Sequence, residues 1–194
     1  MTKLGLYQGV IADALGHLNA AGPAVNQFSR ANMPRFGLYD SASDAGSVAL
    51  TTQVMTAVPI FLAAGDVITN LSAQAGATAA GTPTNYWFAL YDSQATPALL
   101  AQTADQLTAA WAAFAVKTLP LAAPVTITKT GVYWVAVMVK ATTVPTLLGA
   151  IAAKPIVTGE RNLAVTSGAA LTTTATATLA APTVANFAPL VVAT

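Results

Sequence analysis

From Val48 onward the side chains alternate with a period of two, and that period commits most of the chain to strands. Val54, Thr56, Val58, Ile60 and Leu62 alternate with Gln53, Met55, Ala57 and Pro59. Val67, Thr69 and Leu71 alternate with Ile68, Asn70 and Ser72. Ala64-Gly65-Asp66 punctuates the two runs as a turn. Further strands are expected at 85–91, 98–103, 112–121, 125–128 and 132–141, and again at 187–192. Gly81-Thr82-Pro83, Asp92-Ser93 and Thr130-Gly131 separate several of them. Many short strands broken by turns every ten or so residues indicate an all-β sandwich or barrel. No segment after residue 45 carries a long helical period.

Two of these strands are apolar on both faces. In Tyr86-Trp87-Phe88-Ala89-Leu90-Tyr91, and again from Val132 to Val139, both parities are apolar. One face enters a core. The other must be covered by a loop, by the N-terminal segment or by another subunit.

Residues 1–45 read differently, as an N-terminal arm preceding a sandwich domain at 46–194. Tyr7, Val10, Ile11, Ala14, Leu15 and Leu18 have helical spacing, which places a short helix over Gln8–Asn19. Gly9 and Gly16 weaken it, because glycine costs about 1 kcal/mol against alanine inside a helix. Tyr7, Val10, Ile11, Leu15 and Leu18 are the expected assembly contacts if the arm anchors a neighbour; the arm can equally wrap its own domain. At the other end, residues 142–185 are expected to be a long Ala/Thr-rich connection, with 186–194 returning as the final strand. Thr172-Thr173-Thr174-Ala175-Thr176-Ala177-Thr178 favours extended structure, at a sheet edge or in an exposed loop.

Charge is scarce. Of 194 residues only 8% are Asp, Glu, Lys or Arg, for a net charge of +1, against about 25% in ordinary soluble domains. Either a compositional bias toward Ala, Thr and Val or a surface built for packing produces this. The eight basic residues are scattered, which argues against nucleic-acid binding. The hydrophobic fraction of 55% comes in short runs, far from the ~20 apolar residues of a spanning helix, so membrane insertion is not expected. Lys3, Gly5, Gln8 and Asp13 interrupt any signal-peptide core, and use without secretion is expected. There is no cysteine, hence no thiolate chemistry.

Catalytic groups are few. His17 is the only histidine, and no G-x-S-x-G elbow accompanies it. Asp92 and Asp105 flank a strand and Asp66 sits in a turn, all ordinary turn-capping positions. Asp40-Ser41-Ala42-Ser43-Asp44 lacks the ligand spacing and closing Glu of a calcium loop. No phosphate-cradling glycine motif occurs. Neither a cofactor nor a metal is expected, and the chain reads as non-enzymatic. Of the tryptophans, Trp87 and Trp134 lie in apolar strands and read as core. Trp111, among alanines beside a loop, is the best candidate for stacking on a ligand, although packing is the favoured role even there.

One block carries a family resemblance. It runs from Leu71-Ser72-Ala73-Gln74-Ala75-Gly76 through Thr82-Pro83-Thr84-Asn85-Tyr86-Trp87-Phe88-Ala89-Leu90-Tyr91-Asp92 and Leu99-Leu100-Ala101-Gln102-Thr103. Trp111, Lys117-Thr118-Leu119, Pro124-Val125, Gly131-Val132-Tyr133-Trp134-Val135-Ala136-Val137-Met138-Val139 and Pro145-Thr146-Leu147 continue it. This block resembles a domain of virion proteins from phages that infect actinobacteria, minor tail proteins among them. The resemblance implies a jelly-roll-like antiparallel β-sandwich in a bacteriophage particle, assembled in the host cytoplasm, and it transfers no catalytic residue. The expected role is a virion structural protein: a capsid decoration or head-surface protein, or a minor tail component. Its expected partners are other virion proteins and copies of itself in a trimer. The alternative expectation is a host-surface glycan-binding module using Trp111.

Overall fold

The computed structural model describes residues 30–32, 47–151, 158 and 162–194. The expected helix at Gln8–Asn19 lies outside the described residues. Those residues form an all-β, jelly-roll-like sandwich, and no helix occurs among them.

Thirteen strands follow one another along the described chain. They are β1 (Arg30–Ala31), β2 (Ser47–Ala49), β3 (Met55–Leu62), β4 (Val67–Gln74), β5 (Gly81–Tyr91), β6 (Leu99–Gln102) and β7 (Val116–Thr126). Then come β8 (Gly131–Thr143), β9 (Thr146–Ile151), β10 (Val165–Ser167), β11 (Thr183–Val184), β12 (Phe187–Pro189) and β13 (Val191–Ala193). One sheet has the order β11-β10-β3-β8-β5-β6, the opposing sheet β1-β13-β4-β7, and a small third sheet β12-β9-β2. The pairings are antiparallel.

Alternation decides which side chains meet between the sheets. Val58, Ile60 and Leu62 of β3, Tyr86, Phe88 and Leu90 of β5, and Tyr133, Val135 and Val137 of β8 point inward. Leu71 and Ala73 of β4, Leu119 and Leu121 of β7 and Val191 of β13 meet them from the other sheet. The β7 strand borders its sheet, which accommodates Pro120 and Pro124, since a border strand loses no ladder bond where a proline N–H is missing.

The opposite parity of β3, β5 and β8 is buried too, and this answers the question the two-sided strands pose. Met55, Ala57, Trp87, Ala89, Tyr91, Ala136 and Met138 form a second core on the outer face of the six-stranded sheet. Val165, Ala175 and Leu179 cover it, with Leu171 beside them. The cover is therefore the chain's own Ala/Thr-rich segment, not a neighbouring subunit. The expected long connection at 142–185 is corrected accordingly: it contains β9, β10 and β11, and its Thr172–Thr178 stretch is strapped across the sheet. The Trp87 indole Nε1–H donates to the Thr172 carbonyl at 2.7 Å, and the Tyr91 hydroxyl donates to the Thr176 carbonyl at 2.9 Å. Gln102 grips the strap twice, donating from Nε2 to the Thr173 carbonyl and accepting from the Ala175 N–H. Small alanines let the strap approach closely, and threonines face water on its other side.

Part of the expected arm belongs to the sandwich. The β1 strand pairs with β13. Asn32 donates from Nδ2 to the Pro189 carbonyl at 2.8 Å and accepts from the Val191 N–H at 2.9 Å. At these residues the segment wraps its own domain.

Candidate functional site

Each of the three described aspartates accepts at least one hydrogen bond. Asp66 Oδ2 accepts from the Ala63 N–H at 2.8 Å, closing the β3–β4 turn. Asp92 ends β5 and organises the loop to β6: Oδ1 accepts from the N–H groups of Gln94 and Ala98, and Oδ2 from Gln94 Nε2. Asp105 accepts from Nδ2 of the buried Asn85 through Oδ2. The expected turn-capping role is seen at Asp66 and Asp92; Asp105 instead pairs with the Asn85 side chain, and its buried Oδ1 has no hydrogen-bond partner among the described residues. Among the described residues no three His, Asp or Glu side chains come together as a metal site. His17, Asp13, Asp40, Asp44 and Glu160 lie outside the described residues, as do the expected assembly contacts Tyr7, Val10, Ile11, Leu15 and Leu18.

Trp111 is placed where ligand stacking is closed to it. It is fully buried in the inner core. Its ring lies 5.4 Å from Tyr86 and 5.8 Å, edge-on, from Phe88. Its indole N–H donates to the Ala115 carbonyl at 2.9 Å. The alanines around it fold as a tight turn, with Phe114 at φ 58° and the Ala115 N–H bonded to the Ala112 carbonyl. That turn is why the strand expected from residue 112 begins at Val116. A tryptophan between alanines reads from sequence as an isolated ring beside a loop; in three dimensions it is the plug under that loop.

Tyr86 and Tyr91, five residues apart on β5, differ in how their hydroxyls are served. Both are fully buried, and burial raises the pKa of each above 10.0. The Tyr91 hydroxyl reaches the strap and also lies 3.4 Å from Met55 Sδ. The Tyr86 hydroxyl has no hydrogen-bond partner among the described residues.

Trp134, expected in the core, packs against the outer core but also lines a cleft at the surface. It lies on the outer face of β8, opposite Pro59 of β3 and Tyr91 of β5, and is only half-buried. It packs against the margin of the outer core, as Leu99 and Leu171 do. A cleft of about 330 Å³ remains there, between the β5–β6 loop (Ser93, Gln94, Pro97), Trp134, and Asn162, Leu179 and Pro182 from the covering segment. Among the described residues no charged side chain lines it. Neither the Trp134 indole N–H nor the Asn162 amide has a hydrogen-bond partner among the described residues. Next along the same face is Phe61, 56% exposed. It pairs with Val132 in the β3–β8 ladder and so stands diagonally across from Trp134, a separation of roughly 7–8 Å for such pairs. On the other side of the same loop a second cleft, of about 450 Å³, is bordered by Asp92, Leu100, Lys129 and Tyr133. The signal in the sequence for Trp134 was its parity: it shares a face with Phe61.

No protein-family model matches the chain, and no curated protein is significantly similar to it.

Proposed function

We propose that the chain is a structural, non-catalytic subunit of a bacteriophage particle, trimeric and held by contacts with other virion proteins on the head surface or the tail. The observation that carries this reading is where the resembling block falls. Its residues make the framework strands β4 to β9 together with the Trp111 plug, so the likeness concerns how a sandwich is built and not a reactive site. The non-catalytic part is supported by Asp66, Asp92 and Asp105, each bonded within a turn or to a neighbouring amide. Glycan recognition through Trp111 is not carried forward, because its ring is enclosed.

Deleting residues 1–28 tests the assembly role and leaves Asn32 and its two bonds in place. The truncated chain is expected to keep its thermal transition and to lose incorporation into particles. Incorporation at the wild-type level would overturn the anchoring role. Light scattering on the purified full chain is expected to give a trimer, and a monomer at micromolar concentration would contradict it.

A further inference from the structure

We infer that the Trp134 cleft is a binding site for a neutral saccharide, with Phe61 extending it along the sheet. The inference is independent of the particle role, since it rests on side chains of one chain.

The chemistry of the lining selects the ligand class. A pyranose ring offers a face of C–H bonds and a rim of hydroxyls. It is recognised by an aromatic face flanked by groups that both donate and accept hydrogen bonds. Trp134 supplies the face and an indole N–H without a partner. Asn162 supplies an unpartnered amide, which donates and accepts. Ser93 adds a hydroxyl, and Gln94 is held in position through its bond to Asp92. A volume of about 330 Å³ is within the range of small-ligand clefts and suits one or two sugar rings. The described lining residues offer no counter-charge to a phosphate, carboxylate or ammonium ligand, and their hydroxyl and amide groups match the neutral hydroxyls of a sugar. A purely apolar peptide segment would leave the indole N–H and the Asn162 amide desolvated and unpaired. Phe61, diagonal to Trp134 on the neighbouring strand, gives a second ring for a following sugar.

The geometry provides its own reporter. Trp87 and Trp111 are fully buried, so quenching of tryptophan fluorescence by acrylamide reads Trp134. The full chain is titrated with neutral oligosaccharides of glucose, mannose and galactose, with glucose 6-phosphate as the charged control. Saturable protection from quenching by at least one neutral series is expected, and none by the control. Asn162→Ala is expected to weaken that binding about tenfold, the loss of roughly one hydrogen bond. Phe61→Ser, at an exposed position, is expected to weaken binding of longer oligomers and to leave disaccharide binding unchanged. Trp134→Phe keeps a ring in the sheet and serves as the folded control, in which the quenching signal itself disappears. Protection by none of the neutral series overturns the inference, as does equal affinity in Asn162→Ala. Self-association of the chain that Phe61→Ser abolishes, without sugar binding, would assign the face to a second copy and also overturn it.

Discussion

Two tyrosines on one strand make opposite predictions. The Tyr86 hydroxyl is buried between the sheets without a hydrogen-bond partner among the described residues. A desolvated, unpaired polar group costs about 1–3 kcal/mol. Tyr86→Phe deletes the hydroxyl, keeps the ring against Trp111, and leaves no new group unsatisfied. It should therefore stabilise the chain, by about 2 kcal/mol. Tyr91→Phe removes a hydroxyl that donates to the Thr176 carbonyl, the bond that ties the strap to the outer face. It should destabilise by about 1 kcal/mol. For a chain of this length each kcal/mol moves Tm by roughly 2–4 °C. The two variants should therefore melt roughly 6–12 °C apart, one on either side of the wild type. Calorimetry or guanidinium unfolding at neutral pH reads the difference directly. A Tyr86→Phe variant less stable than wild type would refute the reasoning, because it would mean that the hydroxyl has a partner. So would a Tyr91→Phe variant indistinguishable from wild type.

Three further predictions concern pH, packing and the loop. Both tyrosines have pKa values raised by burial, so the folded state favours their neutral form. That stabilisation is complete below pH 10 and is lost as pH rises through the elevated folded-state values. Alkaline unfolding monitored by circular dichroism should therefore shift to higher pH in Tyr86→Phe, and an unchanged midpoint would contradict the assignment. Gly149 sits where β9 meets β12, and a Cβ there would fall on the Ala188 carbonyl oxygen and within 2.8 Å of Pro189 Cα. Backbone cannot yield as a side chain does, so Gly149→Ala should cost about 1–3 kcal/mol by denaturant unfolding. Asp92→Ala removes the acceptor for the Gln94 and Ala98 N–H groups. It should lower stability by about 1–2 kcal/mol and raise hydrogen exchange within residues 93–98, while exchange in β3 stays unchanged.

Much of the fold was legible because a half-buried strand writes its burial into alternation. The expected strands at 85–91 and 132–141 coincide with the centres of β5 and β8, and those at 54–62 and 67–72 with β3 and β4. Continuous burial of both faces was legible too, but not its cause. Trp87 and Met138 look the same whether a subunit or a strap covers them, and the strap itself, being threonine and alanine, has too little apolar bulk to announce a role. Its hold on the sheet comes from backbone carbonyls at Thr172, Thr173 and Thr176, which composition does not encode. The short strands β10 and β11 were missed for the same reason: their pairing is long-range and their side chains unremarkable. The tryptophans show the limit most plainly. Local context made Trp111 the best candidate for a stacking ring, though packing was the favoured reading even there, and placed Trp134 in the core. The turn at 112–115 closes over the first, and the second is only half-buried at the margin of the outer core.

The central claim is that this sandwich works by being built into a particle. A density map of purified phage particles tests it most directly. The expected result is density for a sandwich with a strap across the six-stranded sheet, repeated in threefold groups at the head surface or along the tail. Mature particles that contain no copy of the chain would contradict it.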